Sequence, residues 1–214
     1  MKFALLPAKI TKRLGVEKFL PKFVYEALSL IPDHCTEVKL PEISPAIGQT
    51  QKRVGFISGC VMSVMFGETN AASVRLLNRV GCEVVTPRDQ NCCGALYAHS
   101  GQLELARDCA RRNIEAFEKQ NLDTIIINAA GCGSTLKEYD QLLHDDPEWA
   151  ERGKIFSAKV KDITEFLAPF TAALVNRKSG IVNRVTYHDA CHLAHAQRIT
   201  QPPRLLVKAV ARKN

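Results

Sequence analysis

Two of the eight cysteines in this 214-residue chain are neighbours. Cys92-Cys93 is followed by Gly94, with Cys60 thirty-two positions before Cys92 and Cys132 thirty-nine positions after Cys93. A disulfide between adjacent residues would need a strained ring and a distorted peptide bond, so the pair is not there to cross-link itself. Thiolates are soft ligands, and they suit iron–sulfur clusters, where several irons share the donors and adjacent thiolates can both bind. Four thiolates would also satisfy tetrahedral zinc, but structural zinc sites normally use short Cys-x-x-Cys knuckles, and the sequence contains none. The remaining alternative is free cysteine acting as a small buried hydrophobe. An iron–sulfur site through Cys60, Cys92, Cys93 and Cys132 is the leading expectation.

The rest of the composition narrows the setting. With 46% apolar residues the chain can bury a real core. Residues 1–10 lack the apolar run and cleavage site of a secretory signal, which points to reduced thiols and a cytoplasmic setting. No stretch approaches eighteen consecutive apolar residues, so the expectation is a soluble or peripheral protein. The net charge of +7 is concentrated at the ends: Lys2, Lys9, Lys12, Arg13, Lys18 and Lys22, then Arg204, Lys208, Arg212 and Lys213. Such ends could meet acidic lipid or an acidic partner, or be solvated helix faces. With 7% aromatic residues and no reader module, nucleic acid is not an expected partner.

Bringing cysteines so far apart in sequence to one place requires particular elements. Residues 1–34 have apolar positions at helical spacing broken by prolines, which predicts short amphipathic helices, and 35–52 has linker composition. From Arg53 the pattern alternates. Strands are predicted at 54–58, 83–86 and 123–128, and helices at 68–80 and 102–120, near 134–144 and near 160–175. That alternation predicts a parallel sheet. Each cysteine of interest follows a predicted strand, so all would emerge at the carboxyl edge, where open α/β sheets form ligand sites. Cys82 and Cys109 read as packing residues, and Cys35 has no partner in view.

The series restarts at Arg184-Val185-Thr186-Tyr187-His188, a further predicted strand, with Cys191 after it. Arg53-Val54 precedes Cys60 by the same interval, and Arg75-Leu76-Leu77 has a counterpart in Arg204-Leu205-Leu206. Two matched landmarks predict a duplicated module, of which the chain holds one full copy and the opening of a second, as a fragment would. Cys191 would then belong to a second, incomplete metal site. His188, His192 and His195 surround it, with proton handling or a quinone-facing role as one reading and loop hydrogen bonding as the other. Arg75 and Arg204 could offset cluster charge or be solvated.

Gly59-Cys60-Val61-Met62, Asn91-Cys92-Cys93-Gly94-Ala95-Leu96, Asn128-Ala129-Ala130-Gly131-Cys132-Gly133 and Tyr187-His188-Asp189-Ala190-Cys191-His192 resemble the CCG (cysteine-rich) domain family. Its members include subunits of heterodisulfide reductases and, nearest in likeness, glycolate oxidase iron–sulfur subunits. The resemblance implies an α/β fold with an N-terminal helical segment and linker (1–52), a first CCG module (53–180) and the beginning of a second (181–214). It also implies a [4Fe–4S] cluster on this chain and FAD on a partner flavin subunit that oxidises a 2-hydroxy acid. A peripheral position at the inner face of the cytoplasmic membrane is a further expectation. Ala129 stands where the family motif has the first cysteine of Cys-x-x-Cys, which argues against a five-cysteine noncubane cluster and against direct disulfide reduction. The other expectations held open are a heterodisulfide-reductase-like subunit and a metal-free interaction module.

Overall fold

Burial along the strands alternates between two cores, and this sets the architecture. The computed structural model describes residues 10, 11, 14, 15, 19–29, 38–174 and 185–211. Cys35, Arg184, Arg212, Lys213 and the basic residues Lys2, Lys9, Lys12, Arg13 and Lys18 lie outside the described residues, as does much of the predicted helical region before residue 19. Helix α1 (Lys22–Ser29) buries none of its residues. Strand β1 (Ile43–Ser44) falls where linker was expected and runs antiparallel at one edge. The other four strands are parallel: β2 (Lys52–Phe56), β3 (Cys82–Val85), β4 (Thr124–Ile127) and β5 (Val160–Asp162), in the order β1-β3-β2-β4-β5.

Val54, Phe56, Val84 and Ile126 face one core with Val74 and Leu77 of α3 (Gly67–Arg79), which follows the short α2 (Cys60–Met65). Ile57, Val85, Ile125 and Ile127 face the other core. There they meet Ala110, Ile114 and Phe117 of α5 (Leu103–Glu118), with α4 (Ala95–His99) before it. Leu136 of α6 (Ala130–Lys137), Tyr139 of α7 (Tyr139–Leu142) and Phe156 of α8 (Ala150–Lys159) complete this layer. The result is a sheet between two helical layers, as the alternation predicted.

Helix α3 covers one face and α5 the other, so the strand order reverses at β2, with β3 on one side and β4 on the other. Open α/β sheets place their ligand crevice at such a reversal.

Two sequence expectations need correction. The predicted helix near 160–175 begins instead as strand β5, then breaks into α9 (Ile163–Leu167), a 3-10 turn (Ala168–Phe170) and α10 (Thr171–Leu174). Asp162 ends the strand and caps α9 by accepting the Thr164 N–H at 2.8 Å. Val185–His188 does not join the sheet: among the described residues it pairs with no strand and has no regular secondary structure. A π-helical turn (His192–Ala196) and helix α11 (Gln201–Val210) follow. Leu206 of α11 packs on the core around Phe166 and Leu167, which holds this segment against the first module.

Candidate metal centre

Three of the expected ligands lie at or just before helix N-termini that follow strands. Cys60 is the first residue of α2, Cys93 precedes Gly94, which caps α4, and Cys132 lies in the first turn of α6. Gly94 has φ 84°, a conformation L side chains rarely adopt. A Cβ there would also come within 3.1 Å of the Ala106 carbonyl oxygen and 3.2 Å of the Cys109 Cβ. The glycine after the cysteine pair is therefore required both by backbone conformation and by contact with α5.

The four thiols form a connected chain. The Cys60 Sγ donates to the Cys92 Sγ at 3.4 Å, and the Cys93 thiol interacts with both Cys92 and Cys132, shifting the protonation of each. Cys93 is buried, and the other three are half-buried. Nearby backbone amides favour the anionic form of the sulfurs as well: that of Val61 at Cys60, those of Cys93 and Gly94 at Cys92, and that of Ala95 at Cys93. Such converging amides make a site for anionic sulfur.

Protonation follows this arrangement. The Cys92 thiol is pushed far down, first because the Cys60 thiol donates to it, then because Cys93 does, with burial opposing. Cys132 is lowered chiefly because Cys93 donates to it. The two donors move the other way: Cys60 is raised by its bond to Cys92 and then by burial, and Cys93 by its bond to Cys132. Cys92 and Cys132 are thus the acceptors and Cys60 and Cys93 the donors, a set that sheds its thiol protons when a soft cation binds.

Among the described residues no group of three His, Cys, Asp or Glu side chains forms a cage for a single ion. The fit to a metal centre rests on the donor chemistry and its convergence. Four soft sulfurs, one buried and three half-buried, with amides beside them suit an iron–sulfur cluster.

Side-chain carboxamides fix the loops that carry these sulfurs. Gln90 accepts the Ser58 N–H at 2.8 Å and donates to Phe56 O and Pro87 O, tying the loop after β2 to the loop after β3. Asn70 donates to Ser58 O at 2.8 Å, and Asn128 donates to Asn70 Oδ1 at 2.9 Å and to Ser73 Oγ at 3.0 Å. The loops after β2 and β4 are thereby joined. Sequence reasoning did not single out these residues. The available signal was polar side chains at positions otherwise occupied by apolar ones, as with Asn113 beside Ile114 and Phe117 on the buried face of α5.

The remaining cysteines divide. Cys82 is buried at the start of β3, and burial pushes its thiol up to about 11. Cys109 is buried behind the Cys-Cys-Gly loop, where its Sγ lies 4.0 Å from the Asn91 Nδ2. Both fit the packing role read from the sequence. Cys191 is exposed and makes no hydrogen bond to the other thiols among the described residues. His188, His192 and His195 are exposed too, and the His192 ring lies 5.7 Å from that of His99. Arg204 makes a bidentate pair with Asp189 (2.5 and 2.6 Å), whereas its sequence counterpart Arg75 is an exposed residue of α3. Ala129 caps α6 and packs on the core beside Cys132.

Fold and site together define a parallel α/β protein with a four-thiol centre at the carboxyl edge of its sheet. Residues 54–137 and 185–214, more than half of the chain, match the cysteine-rich domain (CCG) family, and the chain belongs to it. A probable glycolate oxidase iron–sulfur subunit of Bacillus subtilis is 39% identical over 202 residues, covering 93% of this chain and 46% of the relative. Lactate utilization protein A of Geobacillus kaustophilus is 30% identical over 158 residues, 74% of this chain and 65% of the relative. A fumarate reductase (CoM/CoB) subunit of Methanothermobacter marburgensis is 36% identical over 167 residues, 77% of this chain and 31% of the relative. The chain spans less than half the length of the first and third of these relatives.

Proposed function

We propose that Cys60, Cys92, Cys93 and Cys132 hold one iron–sulfur cluster, of [4Fe–4S] type, in an electron-transfer subunit of an oxidoreductase complex. The observation that carries this reading is the chain of four thiols at the strand-order reversal, linked from Cys60 through Cys92 and Cys93 to Cys132. The cluster supplies one-electron transfer. The chain's own residues supply the donors, exclude water around Cys93, and direct amide dipoles at the sulfurs.

The names of the relatives, an iron–sulfur subunit of an oxidase and a lactate utilization protein among them, support placing substrate oxidation on a separate FAD-bearing flavin subunit with a 2-hydroxy acid substrate. This chain alone is not the site of that oxidation. The first CCG module comprises residues 53–180, and 181–214 opens a second to which Cys191 belongs. No helix among the described residues is long and apolar enough to cross a membrane. The exposed face of α1, with Phe23 on it, and the basic N-terminal sequence support a cytoplasmic protein in peripheral contact with an anionic membrane surface.

The test is anaerobic purification followed by iron and acid-labile sulfide quantitation with electron paramagnetic resonance. About four irons and four sulfides per chain, with a cubane-type signal on reduction, are expected. Stoichiometric zinc with neither iron nor sulfide would overturn the reading.

A further inference from the structure

Two fully buried polar side chains lie beneath the cysteine pair, and neither is a ligand. Asn113 on α5 and Tyr139 at the start of α7 are both 0% exposed. The Asn113 amide donates to Cys92 O at 3.0 Å and to the Tyr139 hydroxyl at 3.0 Å, while its Oδ1 accepts the Asn91 N–H at 2.8 Å. The Tyr139 hydroxyl in turn donates to Cys93 O at 2.9 Å. Two side chains thus satisfy three successive backbone groups of one loop. The tyrosine ring stacks on Phe156 at 5.3 Å and 24°, so its hydroxyl is fixed from below.

The consequence follows from peptide geometry. In a planar trans peptide the carbonyl and the following N–H point in opposite directions. Drawing Cys92 O and Cys93 O down into the core therefore turns the N–H groups of Cys93 and Gly94 the other way, out of the core, and these are the two amides that favour the Cys92 thiolate. Burial makes the arrangement costly to break, because releasing either carbonyl leaves it unsatisfied in a dry core.

We propose that Asn113 and Tyr139 are positioning residues that orient the two peptide planes of Cys92-Cys93-Gly94 so that their N–H groups face the Cys92 sulfur and set the potential of the centre held there. The proposal rests on the cluster reading for the potential, but not for the orientation of the amides. N–H···S bonds stabilise the more negative, reduced state of a cluster, so loosening them lowers its reduction potential.

Tyr139→Phe removes one hydroxyl and keeps the stack on Phe156, whereas Asn113→Leu removes the whole clamp at similar volume. Phe156→Leu is the packing control. The first readout is hydrogen exchange at the Cys93 and Gly94 amides in the protein as purified. Exchange there is expected to rise about tenfold in Tyr139→Phe, as loss of one buried hydrogen bond predicts, with amides of β2 and β4 unchanged. The second is redox titration of the cluster followed by electron paramagnetic resonance, expected to move to more negative potential in Tyr139→Phe and not in Phe156→Leu. Unchanged exchange at both amides overturns the clamp, even if Asn113→Leu fails to fold. Faster exchange with an unmoved potential overturns the tuning. A wild-type chain that binds no iron refutes the cluster reading and, with it, the tuning; exchange still decides the clamp.

Discussion

Cys60 and Cys191 follow the same sequence landmarks, yet the structure treats them differently. Ahead of Cys60, β2 is paired on both sides, to β3 and β4, and the loop beyond it is tied by Gln90 and Asn70 to its neighbours. Ahead of Cys191, residues 185–190 are irregular chain outside the sheet, steadied by the Asp189–Arg204 pair and by Gln197, which donates to Ala130 O at 2.9 Å. One cysteine enters a chain of four thiols and the other is exposed. Matched sequence landmarks do not by themselves gather thiols; neighbouring loops at the same sheet edge do.

The sharpest break of this comparison is to remove ligands from each region in turn. Cys92→Ser with Cys93→Ser is expected to abolish iron and sulfide binding, while Cys191→Ser leaves both at the wild-type ratio. Equal loss in the two variants would erase the distinction between the regions.

Backbone demands within the first region come next. Gly94→Ala is expected to lower unfolding free energy by about 2 kcal/mol or more, because it combines a strained φ with close contacts to α5. Gly131→Ala should instead gain about 0.5–1 kcal/mol, since it lies inside α6 with nothing within 4 Å of an added Cβ. Urea denaturation of both variants checks the contrast. Similar losses would mean that the first turn of α6 beside Cys132 is as tightly constrained as the loop after Cys93.

The smallest effect belongs to the second region. The Arg204 guanidinium bonded to Asp189 holds that carboxyl below its usual range, so the pair stabilises the fold above the ordinary carboxylate pKa of about 4. The contribution is lost as pH falls through the depressed value. Asp189→Asn is expected to flatten that acid-side loss slightly and to leave the neutral-pH midpoint nearly unmoved, because the pair is open to solvent. A large drop at neutral pH would show that the segment around Cys191 is held more firmly than its exposure implies.

Much of the fold was legible because its signals are periodic. The strands at 54–58, 83–86 and 123–128 appear at 52–56, 82–85 and 124–127, and the helices at 68–80 and 102–120 appear at 67–79 and 103–118. What escaped is short or depends on a neighbour. β5 has three residues, the middle one an exposed lysine, and carries too little pattern to separate from the helices around it. Val185–His188 has strand-like residues, but a ladder depends on a partner, which local sequence does not encode. The four cysteines could be placed at one edge because each follows a strand. Gln90, Asn70, Asn113 and Asn128 could not, since a carboxamide on a helix or loop reads as surface until its burial is known.

The register of β2 against β4 also has a temporal meaning. Val54 pairs with Thr124 and Phe56 with Ile126, a separation of seventy residues, and non-local pairings of this kind close late in folding. During synthesis Cys60 and the cysteine pair leave the ribosome well before β4 can dock and bring Cys132 to them. For that interval the nascent thiols stand open to oxidants and stray metals, and any delivery machinery must either guard them or wait for β4.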